Sequence, residues 1–354
     1  MRFRVSLLVL VSSVVVGCMQ EPEFTPTPTK TPNASAALEI AVLTSTSSTS
    51  LPLGITTAPS ETPITPTPVP NTTGDTATPT IDPSFTPGTP TPTPPPPTAD
   101  DGLPADHYIL GRPIPNGWTD YGDRIYPYGS TAGGKYRPHT GMEFWNPVGT
   151  PVVAVADSTV EYAGTDWETQ FGPQLSFYGN LIVLRINGAD YQGQPVFAVY
   201  GHLSEIYVNS GDSVLAKVII GAVGGTGVAN GAPHLHFEVR MGDPHDYFHS
   251  TRNPDLWIRP YYGYGTLAGK IVGANGAMLR QVSLIIKGAD MTRYASTYAG
   301  DENISDADWK ENFTYGDLPE GWYSVSTNSG SHIYTQEIYV HKNRTAWVEF
   351  KFDK

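Results

Sequence analysis

Cysteine is almost absent from this chain of 354 residues, which contains a single one, Cys18. A lone cysteine leaves no intramolecular disulfide to stabilise a fold. Basic residues are also scarce, because 21 Lys and Arg stand against 34 Asp and Glu, for a formal net charge of −13. Without a basic cluster to neutralise phosphates, nucleic acid is disfavoured as a partner, and so is a polybasic attachment to anionic lipid.

No apolar run in the sequence is long enough to span a bilayer comfortably. The run Val5–Val16 follows Arg2 and Arg4, which is the charged-then-apolar order of a secretory signal. It leads into Cys18, and this junction resembles the lipobox of bacterial lipoproteins. The resemblance implies that residues 1–18 are a lipoprotein signal and that lipid on Cys18 anchors an exported protein to the outer face of the cell membrane. In the alternative, an ordinary signal peptide, Cys18 is incidental.

Residues 19–105 lack the apolar and aromatic content of a folded domain. Thr, Pro, Ser and Ala dominate this stretch, and Phe24 and Phe85 are its only aromatic residues. Such a segment cannot bury enough apolar surface to offset its ordering entropy, so it is predicted to be a disordered linker. Roughly 85 residues in polyproline II conformation span on the order of 250 Å, whereas a flexible coil averages about 50 Å. A domain on this linker could therefore reach from the membrane into the cell wall.

Long helical periodicity is missing from the rest of the chain. In residues 106–264, short apolar runs are bounded by Gly, Pro and Asn, a pattern typical of short β-strands with tight turns. We therefore expect an antiparallel all-β domain here. Its clearest strand candidates are Val152–Val155, Leu181–Ile186, Val196–Tyr200 and Phe237–Arg240.

Residues 265–354 have the pattern of a second β unit. Residues 317–321 are predicted to form a turn between two of its strands. We expect a small β-sandwich, which resembles the transthyretin-like or carboxypeptidase-regulatory-like sandwiches of surface proteins; an unrelated sandwich acting as a spacer is the alternative. The strand candidates are Ala268–Val272, Val282–Lys287, Gly321–Thr327, Ile333–Val340 and Thr345–Phe352.

His234 and His236 are the first candidate metal-binding pair. In a strand, residues two apart point to the same face, about 6.7 Å apart along the chain, while Leu235 points to the opposite face. Two imidazoles would then enter one cavity, where one could bind a metal at about 2.0–2.1 Å and leave the other free to act on water or substrate. A pair of surface histidines on a half-exposed strand is the alternative.

His139 and Glu143 are a second candidate pair. On a straight strand these residues would lie about 13 Å apart, too far for one ion. Pro138 and Gly141 disfavour a helix and permit a sharp bend, which could bring the imidazole and the carboxylate together. A solvated loop pair is the alternative for this segment taken alone.

The histidines fall into ordered blocks between about Arg137 and Arg240 that together are far more specific than any one of them. The blocks read His139-Thr-Gly-Met-Glu-Phe, then Tyr200-Gly-His-Leu-Ser, then Pro233-His-Leu-His-Phe-Glu-Val-Arg. They resemble the motifs of lysostaphin-like (LytM-type) zinc metalloendopeptidases, which cleave the peptide part of peptidoglycan.

The resemblance implies a specific site. His139, Glu143 and His236 correspond to the zinc ligands, and water takes the fourth position. An open site of this kind lowers the pKa of bound water to about 7 and polarises the scissile carbonyl. His202 and His234 correspond to histidines beside the metal, which are suited to proton transfer and to stabilisation of the oxyanion. The sequence does not divide these tasks between them.

The chain departs from the family pattern at Glu143, where the family normally has Asp. Glu is a competent zinc ligand in other hydrolases. A carboxylate displaced by about 1 Å could nevertheless slow the reaction on the order of a hundredfold. Lys217 also stands where the family often has a turn glycine. The remaining histidines match no motif and are interpreted as structural or solvent-facing: His107, His245, His249, His332 and His341.

Three functions remain open from the sequence. The leading hypothesis is a zinc-dependent endopeptidase that hydrolyses peptide bonds of peptidoglycan. The second is a catalytically weak or inactive family member that binds the cell wall and regulates another hydrolase; the four motif histidines argue against it and Glu143 argues for it. The third is an adhesive or scaffolding lipoprotein that acts through its C-terminal sandwich. The bond cleaved and the oligomeric state are not encoded in any pattern that we recognise.

Overall fold

The structure, a computed structural model, describes residues 102–229 and 231–353. The predicted lipoprotein signal with Cys18 and the predicted linker up to residue 101 lie outside the described residues, and both stay predictions. Leu103 packs against the apolar core of the first region. Within the described ranges, no helix has the length and apolar character needed to cross a membrane.

The regular elements of the described residues are β-strands, apart from one short 3₁₀ helix, Pro254–Leu256. The strands are β1 (Met142–Trp145), β2 (Pro151–Val153), β3 (Ser158–Thr165), β4 (Asn180–Tyr191), β5 (Gln194–Gly201), β6 (Glu205–Ile206), β7 (Ser213–Val214), β8 (Ile219–Ala222), β9 (His234–Met241), β10 (Thr251–Arg252), β11 (Tyr264–Val272), β12 (Ser283–Lys287), β13 (Thr292–Ser296), β14 (Phe313–Pro319), β15 (Gly321–Ser329), β16 (His332–Val340) and β17 (Thr345–Lys351). The predicted all-β fold class is confirmed.

The first region is built on an antiparallel sheet. Its strand order is β1-β9-β5-β4-β3-β7, with β10 also paired to β9, and a smaller sheet has the order β2-β8-β6. Alternating side chains from the central strands fill the core, and Phe144, Leu235 and Phe237 are completely buried there. Because these apolar side chains occupy one face of β1 and β9, the polar residues between them are directed to the other face.

The C-terminal region consists of two sheets, with strand orders β14-β11-β17 and β13-β12-β15-β16, around a separate apolar core. Strand β17 pairs with β11 in parallel, because the last strand lies beside the first after the chain has passed through the other sheet. One expectation was wrong here. The predicted turn at 317–321 is largely strand: β14 continues to Pro319, since Leu318 is fully buried in the core and pairs with Gly265.

The segment between β13 and β14, residues 297–312, packs against the first region and is called the supporting loop below. The Ala299 amide donates a hydrogen bond to the Gly129 carbonyl (2.9 Å). The Asn303 side-chain amide donates to the His139 carbonyl (2.6 Å). Through these contacts the C-terminal region touches the backbone of a predicted metal ligand.

Candidate metal centre

Strand β9 places His234 and His236 on the same face of the sheet. Both side chains are nearly buried, while the intervening Leu235 lies in the core on the opposite face. Pairing with β1 sets Glu143 opposite His236. A cleft at this edge of the sheet therefore receives both imidazoles and the carboxylate, as expected from the two-residue period of a strand.

A bend before β1 brings His139 to Glu143. His139 Nε2 lies 2.9 Å from Glu143 Oε1, far closer than a straight strand would allow. The bend passes so close to β9 that a Cβ on Gly141 would meet the Phe237 carbonyl oxygen at 2.5 Å and His236 Nε2 at 2.8 Å. Glycine is therefore required at this position, because the bend and β9 approach each other closely.

Three donor atoms converge in the cleft. Glu143 Oε1 lies 2.9 Å from His139 Nε2 and 3.1 Å from His236 Nδ1. The two imidazole nitrogens are 3.3 Å apart. For zinc bound at about 2.0–2.1 Å, the edges of a tetrahedron measure about 3.3–3.4 Å, so this triangle is close to the one that the metal needs.

The surroundings of the triangle also fit a cation. The three side chains are 5%, 7% and 5% exposed. Burial disfavours the charged carboxylate, but His236 and His139 hold the pKa of Glu143 well below its usual range. Glu143 Oε2 is buried and has no hydrogen-bond partner among the described residues, although it lies 3.3 Å from His234 Nε2. An ionised carboxylate with free acceptor capacity between two histidines is a suitable donor set for a divalent metal.

His202 directly follows β5 and lies beside the triangle. Its φ of 63° is in the left-handed region, which is uncommon for a residue other than glycine and is often retained at functional sites. His202 Nδ1 donates to the Thr226 carbonyl (2.8 Å), which leaves Nε2 available to the cleft. Burial, and then the positive charge on His236, lower the pKa of His202 to about 4. The ring is therefore neutral near pH 7 and able to accept a proton.

His234 is oriented in a similar way. Its Nδ1 donates to the Ala232 carbonyl (2.9 Å), so its Nε2 is the free nitrogen. The ring packs against Trp145, with 4.6 Å between ring centroids, and lies 5.0 Å from the ring of His202. The structure thus brings the five predicted metal-binding and catalytic residues together in one cleft.

A buried network behind His236 was not assigned from the sequence. His236 Nε2 lies 2.9 Å from Glu238 Oε1, which also accepts hydrogen bonds from the hydroxyls of Thr140 and Tyr178, each at 2.7 Å. Arg240 Nε donates to Glu238 Oε2 (2.7 Å), and both of these side chains are 0% exposed. A carboxylate that holds the far nitrogen of a ligand histidine fixes the ring and makes it a stronger ligand.

Charge in this network is balanced internally. Burial disfavours the ionised form of Glu238, but Arg240 and His236 hold its pKa below its usual range. Burial likewise opposes a proton on His236, yet Glu143 and Glu238 raise its pKa to about 10. Metal binding must therefore displace a proton from His236. The alternation of His236, Glu238 and Arg240 along one face of β9 is the sequence signal that could have identified the network.

The site cleft has a volume of about 610 Å³, and five Phe, Tyr and Trp residues contribute to its wall. Its lining includes Tyr126, Tyr136, Trp145, Phe177, Tyr247, Lys135 and Arg137 in addition to the five predicted site residues. Tyr126 stacks on His139 with 4.1 Å between ring centroids. The cleft is large enough for several residues of an extended peptide.

A second group of possible metal ligands, His107, Asp306 and Asp308, lies outside this cleft. His107 Nε2 is 3.2 Å from Asp306 Oδ1 and 4.0 Å from Asp308 Oδ2. Asp306 Oδ1 already accepts hydrogen bonds from the Tyr191 hydroxyl (2.8 Å) and the Trp309 amide (3.1 Å). These contacts satisfy the carboxylate oxygen nearest His107, which supports the structural interpretation of that histidine.

Lys217, at the position where a turn glycine was expected from the resemblance, has a φ of 69°. This left-handed conformation explains why glycine is suited to the turn. The lysine lines another cavity, of about 1060 Å³, that includes none of the predicted site residues.

Sequence comparisons match the segment that contains this cleft. The profile of peptidase family M23 matches residues 137–247, which contain all five predicted site residues. An uncharacterised metalloprotease of Haemophilus influenzae is 39% identical over 108 residues, covering 30% of this chain and 20% of that protein. The glycyl-glycine endopeptidase ALE-1 of Staphylococcus capitis is 33% identical over 177 residues, covering 50% of this chain and 43% of the relative.

Lysostaphin of Staphylococcus simulans is 33% identical over 151 residues, which cover 43% of this chain and 26% of that protein. The solved catalytic domain of lysostaphin is 34% identical over 38% of this chain and 86% of the domain, with a TM-score of 0.28. The chain thus spans less than half the length of these full-length relatives. The family profile and the sequence identities thus relate the segment 137–247 to peptidase family M23.

Proposed function

We propose that this protein is a zinc-dependent endopeptidase that hydrolyses peptide bonds of peptidoglycan. The observation that carries the proposal is the convergence of His139, Glu143 and His236 within 3.3 Å of one another in an open cleft. Two further histidines line the same cleft. The activities of two relatives support this reaction, since ALE-1 is a glycyl-glycine endopeptidase and lysostaphin is an antimicrobial peptidase.

The described side chains account for the parts of peptide hydrolysis that fall to the protein. Zinc held by the three donors would supply Lewis acidity and lower the pKa of a water molecule. His202 and His234 each present an Nε2 atom to the cleft while a backbone carbonyl fixes the opposite nitrogen. One can accept the proton of the attacking water, and the other can stabilise the developing oxyanion or protonate the leaving amine.

A regulatory family member without activity is the competing proposal, and it rests on Glu143. The distances of 2.9 Å and 3.1 Å to the two histidines show that the longer side chain reaches the donor triangle. The geometry therefore favours an active enzyme over a degenerate one.

A set of single substitutions tests the ligand assignment. Glu143→Ala should lose zinc, whereas His234→Ala should keep zinc and lose turnover, because His234 acts beside the metal. Zinc is measured by elemental analysis and turnover by peptide hydrolysis. Full zinc occupancy in Glu143→Ala would remove this carboxylate from the ligand set and favour the regulatory function over the enzymatic one.

Glu143→Asp is the informative control for the departure from the family pattern. A loss of hydrolysis with zinc retained would mean that the surrounding loop fits the longer side chain. A gain would mean that the native site is slower than the family pattern permits. The two outcomes distinguish an adapted site from a detuned one.

We also propose that lipid on Cys18 anchors the protein at the outer face of the membrane. Two acyl chains hold a protein stably at a bilayer, whereas one holds it weakly. Cys18→Ser should therefore release the protein from the membrane fraction and leave the peptidase region folded. A variant that stays with the membrane would show that Cys18 is not the anchor.

A further inference from the structure

Two cationic side chains in the site cleft have no anionic partner among the described residues. Arg137 precedes the ligand His139 by two residues and is exposed. Its guanidinium carbon lies 5.2 Å from the ring centroid of Tyr247 and 5.8 Å from that of Phe177. Lys135 lies over the ring of Tyr136 at 4.9 Å. Both cations line the same cleft as the metal-binding triangle.

The lack of a partner is not explained by a shortage of acids, since the chain has an excess of 13 negative charges. Three other arginines in the first region pair with carboxylates, namely Arg112 with Asp317 at 2.6 Å, Arg124 with Asp255 at 2.7 Å and Arg240 with Glu238 at 2.7 Å. Arg185, Arg252 and Arg259 form no ion pair among the described residues, but they lie outside the site cleft. Of the two acidic residues that line the cleft, Glu143 belongs to the donor triangle, and Asp123 accepts hydrogen bonds from the backbone amides of Ile125 and Tyr126.

The rings of Tyr247 and Phe177 hold the Arg137 side chain in a defined position. Cation–π contacts restrict the side chain before any ligand arrives, so less conformational entropy is lost when its donors bind. The planar guanidinium presents several N–H donors in a geometry that matches a carboxylate. A cation prepared in this way beside a peptide-cleaving site is suited to bind an acidic group of the substrate.

We propose that Arg137, with Lys135 adding to the positive potential, binds a carboxylate of the substrate peptide. The preferred substrate is then a cell-wall peptide with a free carboxylate near the scissile bond, and not a neutral oligoglycine. This inference rests on the proposed function, because it assigns specificity to the same cleft.

A matched pair of stem peptides tests the inference. The two peptides are identical except that one carries a free α-carboxylate on its glutamate and the other a carboxamide. The protein should cleave the carboxylate peptide with a kcat/KM about tenfold to a hundredfold higher, because a charge-assisted hydrogen bond replaces a neutral one. Arg137→Ala should abolish this preference while its zinc content stays unchanged. Arg137→Lys should keep part of it.

Arg185→Ala is the control variant. Arg185 is exposed on β4, lies outside the site cleft and also has no ion-pair partner among the described residues, so its loss changes the net charge equally. It should leave the substrate preference intact.

Cleavage of both peptides at equal rates would overturn the specificity assignment and leave the endopeptidase function standing. An equal loss of kcat/KM on both peptides in Arg137→Ala would also overturn the specificity assignment and leave the endopeptidase function standing. Absence of cleavage of either peptide by the zinc-loaded protein would overturn the specificity assignment, and the endopeptidase function would also be overturned if the same protein released no new amino termini from purified peptidoglycan.

Discussion

The two histidine ligands of the proposed metal site are held by different parts of the molecule. His236 is held from within its own sheet, because Glu238, Tyr178 and Arg240 form a buried network behind its Nε2 atom. His139 lies in a loop, and its Nδ1 atom is buried without a hydrogen-bond partner among the described residues. The site therefore has one ligand fixed through its ring and another that lacks such support.

Hydrogen bonds to its backbone hold His139 in place of a hydrogen bond to its Nδ1 atom. Its carbonyl accepts hydrogen bonds from the Gly129 amide (2.8 Å) and from the Asn303 side chain (2.6 Å). Its ring stacks on Tyr126. Because Asn303 belongs to the supporting loop, the C-terminal region takes part in the geometry of the site and does more than separate it from solvent or from another domain.

The largest expected effect comes from breaking the support of His236. Glu238→Gln leaves Arg240 buried without its counter-charge, so unfolding free energy should fall by about 3–5 kcal/mol, as measured by chemical denaturation. Zinc affinity should fall about tenfold to a hundredfold, because the far nitrogen of His236 loses a carboxylate partner.

Asp290→Asn is the matched control for that substitution. It also removes a carboxylate from an arginine, Arg293, but Asp290 is 46% exposed. Exposed pairs of this kind contribute about 1 kcal/mol or less. If Glu238→Gln is no more destabilising than Asp290→Asn, the network behind His236 does not carry the stability assigned to it.

A smaller effect is expected at the other ligand. Asn303→Ala removes one of two donors to the His139 carbonyl, so it should cost about 1 kcal/mol of stability and lower metal affinity on the order of tenfold. Competition titration gives the affinity, and the visible spectrum of the cobalt-substituted protein should shift, because a ligand has moved. Ser305→Ala in the same loop should leave both unchanged. An unaltered cobalt spectrum in Asn303→Ala would show that the C-terminal region does not position His139.

The smallest effect concerns pH. Glu311 accepts hydrogen bonds from Tyr298 and from the Asp306 amide at the base of the supporting loop. Burial, and then the charge of Asp306, raise the pKa of Glu311 to about 8 from an ordinary value of 4.5. The folded state thus retains a proton that the unfolded chain loses, and the resulting stability is fully present below about pH 4.5 and is lost as pH rises through about 8.

Thermal melts between pH 5 and 9 check this expectation. The wild-type Tm should contain a component that falls over this range, and Glu311→Gln, which keeps a neutral side chain at every pH, should lack it. Parallel pH profiles for the two proteins would mean that Glu311 is ionised in the folded state.

Local patterns predicted the parts of the site that lie on one strand. The two-residue period of β9 placed His234 and His236 on one face, and the same period contains Glu238 and Arg240. The bend that joins His139 to Glu143 was suggested by Pro138 and Gly141. Contacts between distant segments were beyond such patterns: Asn303 is 164 residues from His139, and nothing in either local sequence pairs them.

The error in the fold has the same origin. The segment 317–321 contains Asp, Pro and Gly, which favour a turn. Burial of Leu318 in the core and the pairing of Asp317 with Arg112 hold most of it in β14. Similarly, alternation identified β17 as a strand but carries no information on whether its neighbour is parallel. In both cases tertiary packing decided what local propensity did not.

The central claim is that a zinc ion held by His139, Glu143 and His236 supports hydrolysis of peptidoglycan peptides. Release of new amino termini from purified peptidoglycan, measured before and after zinc removal and again after zinc is restored, tests it most directly. The account predicts release by the zinc-loaded protein, its loss on chelation and its recovery with zinc. Undiminished release from zinc-free protein, or no release by protein that carries one zinc per chain, would contradict it.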